Sequence, residues 1–253
     1  MGLLVAIIAS VLCAVVYVRM YRREVPEPIG KKKAALPAVL GFVAPTFSTL
    51  LVVLFGLIVL RITGGQSLTE VISSPILSSL VRSFLLAGFT EEFIKFLLFL
   101  LTVKIVKPKN VYECGLLCAG IGFGFTALED VLYGGGNVTV ALSRLLFFAM
   151  HMAFGLIMGT YYGLAKYDTK QGRDSAGRSM FLALFLPMLW HTLYDAATVA
   201  NAGATTDDKT LQMAGVIVGL IAIIISVVLQ FVVLVRFRKK SEEYCAMDLT
   251  SES

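Results

Sequence analysis

Residues 88–99 read GFTEEFIKFLLF, two adjacent glutamates and a lysine inside a run that is otherwise soluble in lipid. An ionised group at the centre of a membrane helix costs about 2.5–3.5 kcal/mol, so three facing hydrocarbon would cost roughly 8–10 kcal/mol. Glu91, Glu92 and Lys95 therefore cannot all face lipid. They must turn toward the protein interior or a hydrated cavity, and ionisable residues in such places are candidates for function. On a helix Lys95 lies four residues after Glu91 and three after Glu92, within reach of either. A structural ion pair accounts for one glutamate and leaves the second over.

The surrounding sequence is that of a membrane protein. Of the 253 residues, 57% are hydrophobic and 15% charged, far from the balance of a soluble domain. A helical span needs about 20 apolar residues, because lipid offers no partner to unpaired backbone groups. Seven stretches qualify: 2–18, 36–60, 79–103, 112–133, 139–165, 179–202 and 211–235. Residues 64–78 are too polar and are expected at the surface. The expected fold class is all-α, a polytopic bundle of about seven transmembrane helices forming one integral domain over 1–253 in the cell membrane.

Seventeen of the 22 lysines and arginines fall in alternate loops, around residues 19–33, 104–109, 166–178 and 236–240, and the opposite loops hold only Lys209. Positive loops face the cytoplasm, which predicts an outside N-terminus and a cytoplasmic C-terminus. The net charge of +5 thus reports topology and contact with the bilayer's anionic headgroups, and no nucleic-acid module is present. Basic residues follow the first span and none precedes it, the pattern of a retained anchor. Cys13, Cys114, Cys118 and Cys245 lie in spans or in the predicted cytoplasmic tail and read as small core residues. Gly120 and Gly124, then Gly155, Gly159 and Gly163, form rows that let helices approach closely. Asn137-Val138-Thr139 is formally a glycosylation sequon, and the glycines at 134–136 read as a turn.

The remaining polar residues of the spans can be compared by depth. At 1.5 Å per residue, Glu91, His151 and His191 each lie roughly 16–18 Å below the outer surface. Glu129 and Asp195 fall one to two turns further out. His151 and His191 are the only histidines in the chain, and Asp195 shares a helix face with His191 at i, i+4. Carboxylates and imidazoles from four spans thus aim at one layer. No serine or cysteine is paired with a histidine at that level, so the set points to activation of water. A glutamate serves as general base, Lys95 neutralises whichever glutamate does not bind the water, and a histidine beside an aspartate donates to a developing oxyanion. Such a set suits amide hydrolysis.

EEFIK (91–95), FTALE (125–129), HMAFG (151–155) and HTLYD (191–195) resemble the four ordered motifs of the PrsW family, intramembrane proteases of the superfamily that includes CAAX-processing and bacteriocin-processing enzymes. The resemblance covers a protease-like core over 79–202, flanked by the helices at 2–18, 36–60 and 211–235. It implies an endopeptidase cutting a single-span membrane protein or membrane-tethered peptide, with an anti-sigma factor as the best-known kind of substrate. By analogy Glu91 is the base, Glu92 with Lys95 supports it, and His191 with Asp195 stabilises the oxyanion. Glu129 stands where the CAAX enzymes have histidine, so His151 is expected to supply the missing imidazole, with Phe125 in support. A metal-free glutamate mechanism is favoured; for zinc, the ligand candidates are Glu91, Glu129, His151 and His191. The rival readings are an ion- or proton-coupled transporter, for which no inverted repeat or pair of broken helices is evident, and an inactive receptor on the protease fold.

Overall fold

The computed structural model describes residues 2–23, 28–66, 71–72, 74–134, 138–198 and 209–250, and every element among them is helical. In chain order these are α1 (Gly2–Tyr21), α2 (Lys31–Ile62), α3 (Pro75–Ser83), a π-helical turn (Phe84–Gly88), α4 (Thr90–Val106), α5 (Val111–Gly134), α6 (Val138–Leu146), α7 (Met150–Lys170), α8 (Ala176–Thr198), α9 (Lys209–Lys239) and α10 (Ser241–Ala246). The sequon at Asn137 and most of the glycine turn lie outside the described residues, as does part of the polar stretch 64–78. The end of that stretch is helical and still exposed at Ile76 and Leu77. Ser74 accepts from the Leu77 amide and Pro75 sits at the first helical position, so α3 starts there.

Among the described residues, six helical segments are long and apolar enough to cross a membrane: residues 2–21, 31–62, 111–133, 140–170, 176–197 and 213–239. The protein is a multi-pass integral membrane protein. The seventh expected span, 79–103, is not one uniform helix. It runs through α3, the π-turn and α4, because it carries Arg82, Glu91, Glu92 and Lys95 and has a backbone irregularity in the middle.

Helix α5 is the centre, largely buried and packed against α7, α2 and α1. It starts on a local cap. Asn110 Oδ1 accepts from the Glu113 amide at 2.9 Å, and Glu113 Oε2 accepts from the Lys109 amide at 2.6 Å. A Cβ on Gly155 or Gly159 of α7 would overlap the carbonyls of Cys118 and Cys114 on α5, so the glycine row and the cysteine pair are two sides of one close helix crossing. Helices α2 and α9 lie outermost and present residues such as Leu50, Val53, Leu57, Ile217, Ile221 and Ile224 to lipid.

The ends of the helices that carry the basic loops come together. Tyr112 donates to the Met20 carbonyl and stacks on Phe237. The Leu249 amide donates to the Lys109 carbonyl, and Lys170 Nζ lies 2.9 Å from Asp248 Oδ2. Lys170 and the hydroxyl and amide of Thr250 hold the exposed Asp248 carboxyl down at about 2.

The chain between α6 and α7 is broken at residues 147–149, ending two residues before His151. The backbone groups freed there cannot be left bare in hydrocarbon. Gln230, fully buried on α9, takes both sides: its amide nitrogen donates to the Leu146 carbonyl at 2.6 Å, and its Oε1 accepts from the Ala149 amide at 3.3 Å. Replacing Gln230 with Leu leaves a donor and an acceptor unsatisfied. We expect a loss of about 1–3 kcal/mol in detergent unfolding measurements, against little change for lipid-facing Val228→Leu.

Candidate active site

The π-turn sets up the first motif. Its defining bond, from the Phe89 amide to the Phe84 carbonyl at 2.7 Å, inserts a residue into the helix just before Thr90-Glu91-Glu92. Single π-turns are frequent at functional sites because they re-aim the residues that follow. Gly88 at its end touches α8: a Cβ there would strike Thr192 Oγ1 and come within 2.9 Å of the Met188 carbonyl. The glycine thus lets the glutamates of α4 come beside His191.

Lys95 is the hub. Its ammonium lies 2.8 Å from Glu92 Oε1, 3.4 Å from Glu91 Oε2 and 2.9 Å from His151 Nδ1, over the face of Phe125 at 3.7 Å from the ring centre. An ammonium has only protons to offer, so His151 must accept at Nδ1. The proton of His151 is then on Nε2, which donates to Glu129 Oε2 at 2.8 Å. Glu92 Oε1 is shared with His191, whose Nδ1 lies 2.9 Å away and donates to the carboxylate. The other nitrogen, His191 Nε2, faces Glu91 Oε2 at 3.9 Å and Asp195 Oδ2 at 3.7 Å. Both distances are longer than a hydrogen bond.

All eight residues singled out from the sequence therefore meet in one cluster. Residue counting puts Glu129 one to two turns further out than His151, and the two side chains bond directly, at 2.8 Å. Exposure divides the group. The side chains of Glu92, Lys95, His151 and His191 are 0–5% exposed, whereas Glu91 and Asp195 are 16% and 21% exposed and form the mouth. Phe154 fills the space between the imidazoles, 5.1 Å from the His191 ring and 5.7 Å from that of His151.

Sequence reading missed the support behind Glu129. Arg144 on α6 donates to Glu129 Oε2 at 2.9 Å and to Asp130 Oδ1 at 2.8 Å, and Asp130 also accepts from Ser10 on α1 at 2.6 Å. The signal was an arginine inside a span with no partner at helical spacing. Its partners are one helix back, on α5.

Glu91, Glu92, His151 and His191 each bring a donor atom within 4.8 Å of the others, a set able to hold a metal ion. Glu129, expected among the ligands, is instead held by Arg144 and His151. One further atom bears on this: Glu92 Oε2 is buried with no hydrogen-bond partner among the described residues.

Removing one partner from a buried ion pair strands the other charge, at a cost of about 3–5 kcal/mol. Lys95→Met should therefore unfold the bundle more readily than Glu92→Gln does. The double variant should recover part of the loss, since it leaves fewer stranded charges. Denaturation of the three variants in detergent measures this coupling, and strict additivity would refute it.

The sequence model describing PrsW family intramembrane metalloproteases matches residues 35–235. Protease PrsW of Halalkalibacterium halodurans is 37% identical over 161 residues, 62% of this chain and 70% of that protein. Protease PrsW of Geobacillus kaustophilus is 33% identical over 127 residues, 49% and 55% of the two chains. That of Bacillus subtilis is 32% identical over 116 residues, 45% and 52%. The chain thus aligns with 70% of the first of these relatives and about half the length of the other two. No solved structure matches. With four motifs gathered in one buried cluster and a family match over most of its length, the chain belongs to the PrsW family of intramembrane proteases.

Proposed function

We propose that this cluster hydrolyses a peptide bond in a membrane-anchored protein, with Glu91 as general base toward water and His191 with Asp195 as the oxyanion site. The observation that carries the proposal is the mouth of the cluster. Glu91 and Asp195, the two most exposed members, flank His191 Nε2 at 3.9 and 3.7 Å, the separation of groups that share a bridging water or a reacting atom. The deeper members have other work. Glu92 fixes the ring of His191 through Nδ1, and Lys95 offsets the charge of both glutamates. His151 acts through Lys95 and Glu129, since both its nitrogens are engaged.

In the reaction Glu91 takes a proton from water as the oxygen attacks the peptide carbonyl. A proton on His191 Nε2 donates to the oxygen as it becomes negative. Glu91 then returns its proton to the leaving nitrogen, releasing an amine and a carboxylate. A single-span protein is the fitting substrate, because its helix can unwind against a mouth already within the membrane; an anti-sigma factor is the kind the family resemblance offers.

The family description adds a metal, and the residues fit one. Lys95, 2.8–3.4 Å from Glu92, His151 and Glu91, repels a dication at the four-donor set, whereas His191 Nε2 has Glu91 Oε2 at 3.9 Å and Asp195 Oδ2 at 3.7 Å on the more exposed side. Glu92 orients the imidazole from behind, the usual partner of a metal-binding histidine. A zinc ion held by His191, Glu91 and Asp195 would lower the pKa of water and polarise the carbonyl. It would need Nε2 of His191 bare, where the metal-free route needs it protonated.

The transporter reading gains one observation, the two interrupted helices at 84–88 and 147–149, which the sequence did not reveal. Both interruptions, however, end within three residues of Glu91 and His151 and serve to aim them.

Glu91→Gln and His191→Ala are each expected to reduce cleavage of a co-expressed single-span substrate by at least 10²-fold while the bundle melts normally. Cleavage retained in both would contradict the assignment. Dialysis against a chelator separates the two routes: activity lost and restored by zinc favours the metal route, and activity retained leaves the carboxylate alone as base.

A further inference from the structure

Away from this cluster, a groove of about 580 Å³ opens between α1 and α9 at the end that carries the basic loops. Its mouth is ringed by Arg19, Arg22, Arg23 and Arg238, all exposed, and no acidic side chain lines it among the described residues. Its wall is apolar: Val16, Leu234 and Val235 along the sides, Phe148 and Phe231 at the inner end. From Arg238 back to Phe231 is seven residues, about 10 Å of helix, so the groove runs from the headgroup level into the hydrocarbon.

We propose that this groove binds an anionic phospholipid, its phosphate held by the four guanidinium groups and an acyl chain laid along the apolar wall. The charge pattern favours this occupant. Arginine forks match phosphate oxygens in pairs, and basic pockets between membrane helices are the recurring form of anionic-lipid sites. The adjoining loop keeps the same sign, with six basic residues against Glu24 and Glu27 over residues 19–33. The apolar wall is what distinguishes a lipid from a free anion. Phe148 lies in the break held by Gln230, so a bound chain packs on the segment that leads into His151.

The test uses the full-length protein reconstituted into vesicles of equimolar phosphatidylglycerol and phosphatidylcholine, re-extracted in mild detergent, with the co-purifying lipid quantified by mass spectrometry. We expect phosphatidylglycerol to be enriched on the order of tenfold or more over phosphatidylcholine, from about fivefold per arginine engaged. The Arg22→Gln, Arg23→Gln, Arg238→Gln variant should lose the enrichment while melting normally. Arg236→Gln with Lys239→Gln, which removes two charges from the same helix end but outside the groove, should keep it. Equal retention of both lipids by the wild type would overturn the proposal, as would enrichment surviving the triple substitution or falling equally in the control. Displacement of the lipid by inorganic phosphate alone would reduce the site to simple anion binding and overturn it too.

Discussion

One buried ammonium holds the functional half of this bundle together. Lys95 reaches two glutamates, an imidazole and a phenyl face from the middle of the membrane. Without it, Glu91 and Glu92 would be two like charges on adjacent residues in a medium that solvates neither. With it, the carboxylates can remain close enough to work together. Because lysine has no lone pair, its contact also dictates how His151 is protonated and hence how His151 meets Glu129. A single side chain thereby sets the polarity of a chain of contacts running from α4 to α7, α5 and α6.

The rest of the architecture keeps that hub in place without spending apolar surface, which has no value between helices already in lipid. Small residues let the helices touch: Gly155 and Gly159 against the cysteine face of α5, Gly88 against Thr192. Between α6 and α7, where the backbone leaves helical geometry, Gln230 of α9 takes over the lost bonds. The π-turn at 84–88 and the break at 147–149 each come just ahead of a residue of the cluster.

Much of this was legible in the sequence because membranes make polar residues conspicuous. Glu91, Glu92, Lys95, His151, His191 and Asp195 stand out against apolar spans, and counting residues from the span ends put the glutamates and histidines in one layer. Other features left a weaker trace. A π-turn shifts register by one residue with no change of composition, so 79–103 looked like an ordinary span. Gln230 looked like one polar residue among many apolar ones, since what it bonds to is set by a break in another helix. Arg144 and Asp130 are on different helices, α6 and α5, and meet only once the bundle has folded. The direct bond between Glu129 and His151 left no trace because rise along a helix locates Cα atoms and says nothing of how far long side chains reach.

The central claim is that Lys95, His151 and the glutamates occupy one chamber. With two histidines in the chain, solid-state NMR of protein labelled with ¹⁵N at lysine and histidine and ¹³C at glutamate, in bilayers, addresses it directly. One lysine nitrogen should be in close dipolar contact with a glutamate carboxylate and with the His151 ring, whose Nδ1 lies 2.9 Å from it and carries no proton. Two imidazoles that show no coupling to any lysine nitrogen would contradict it.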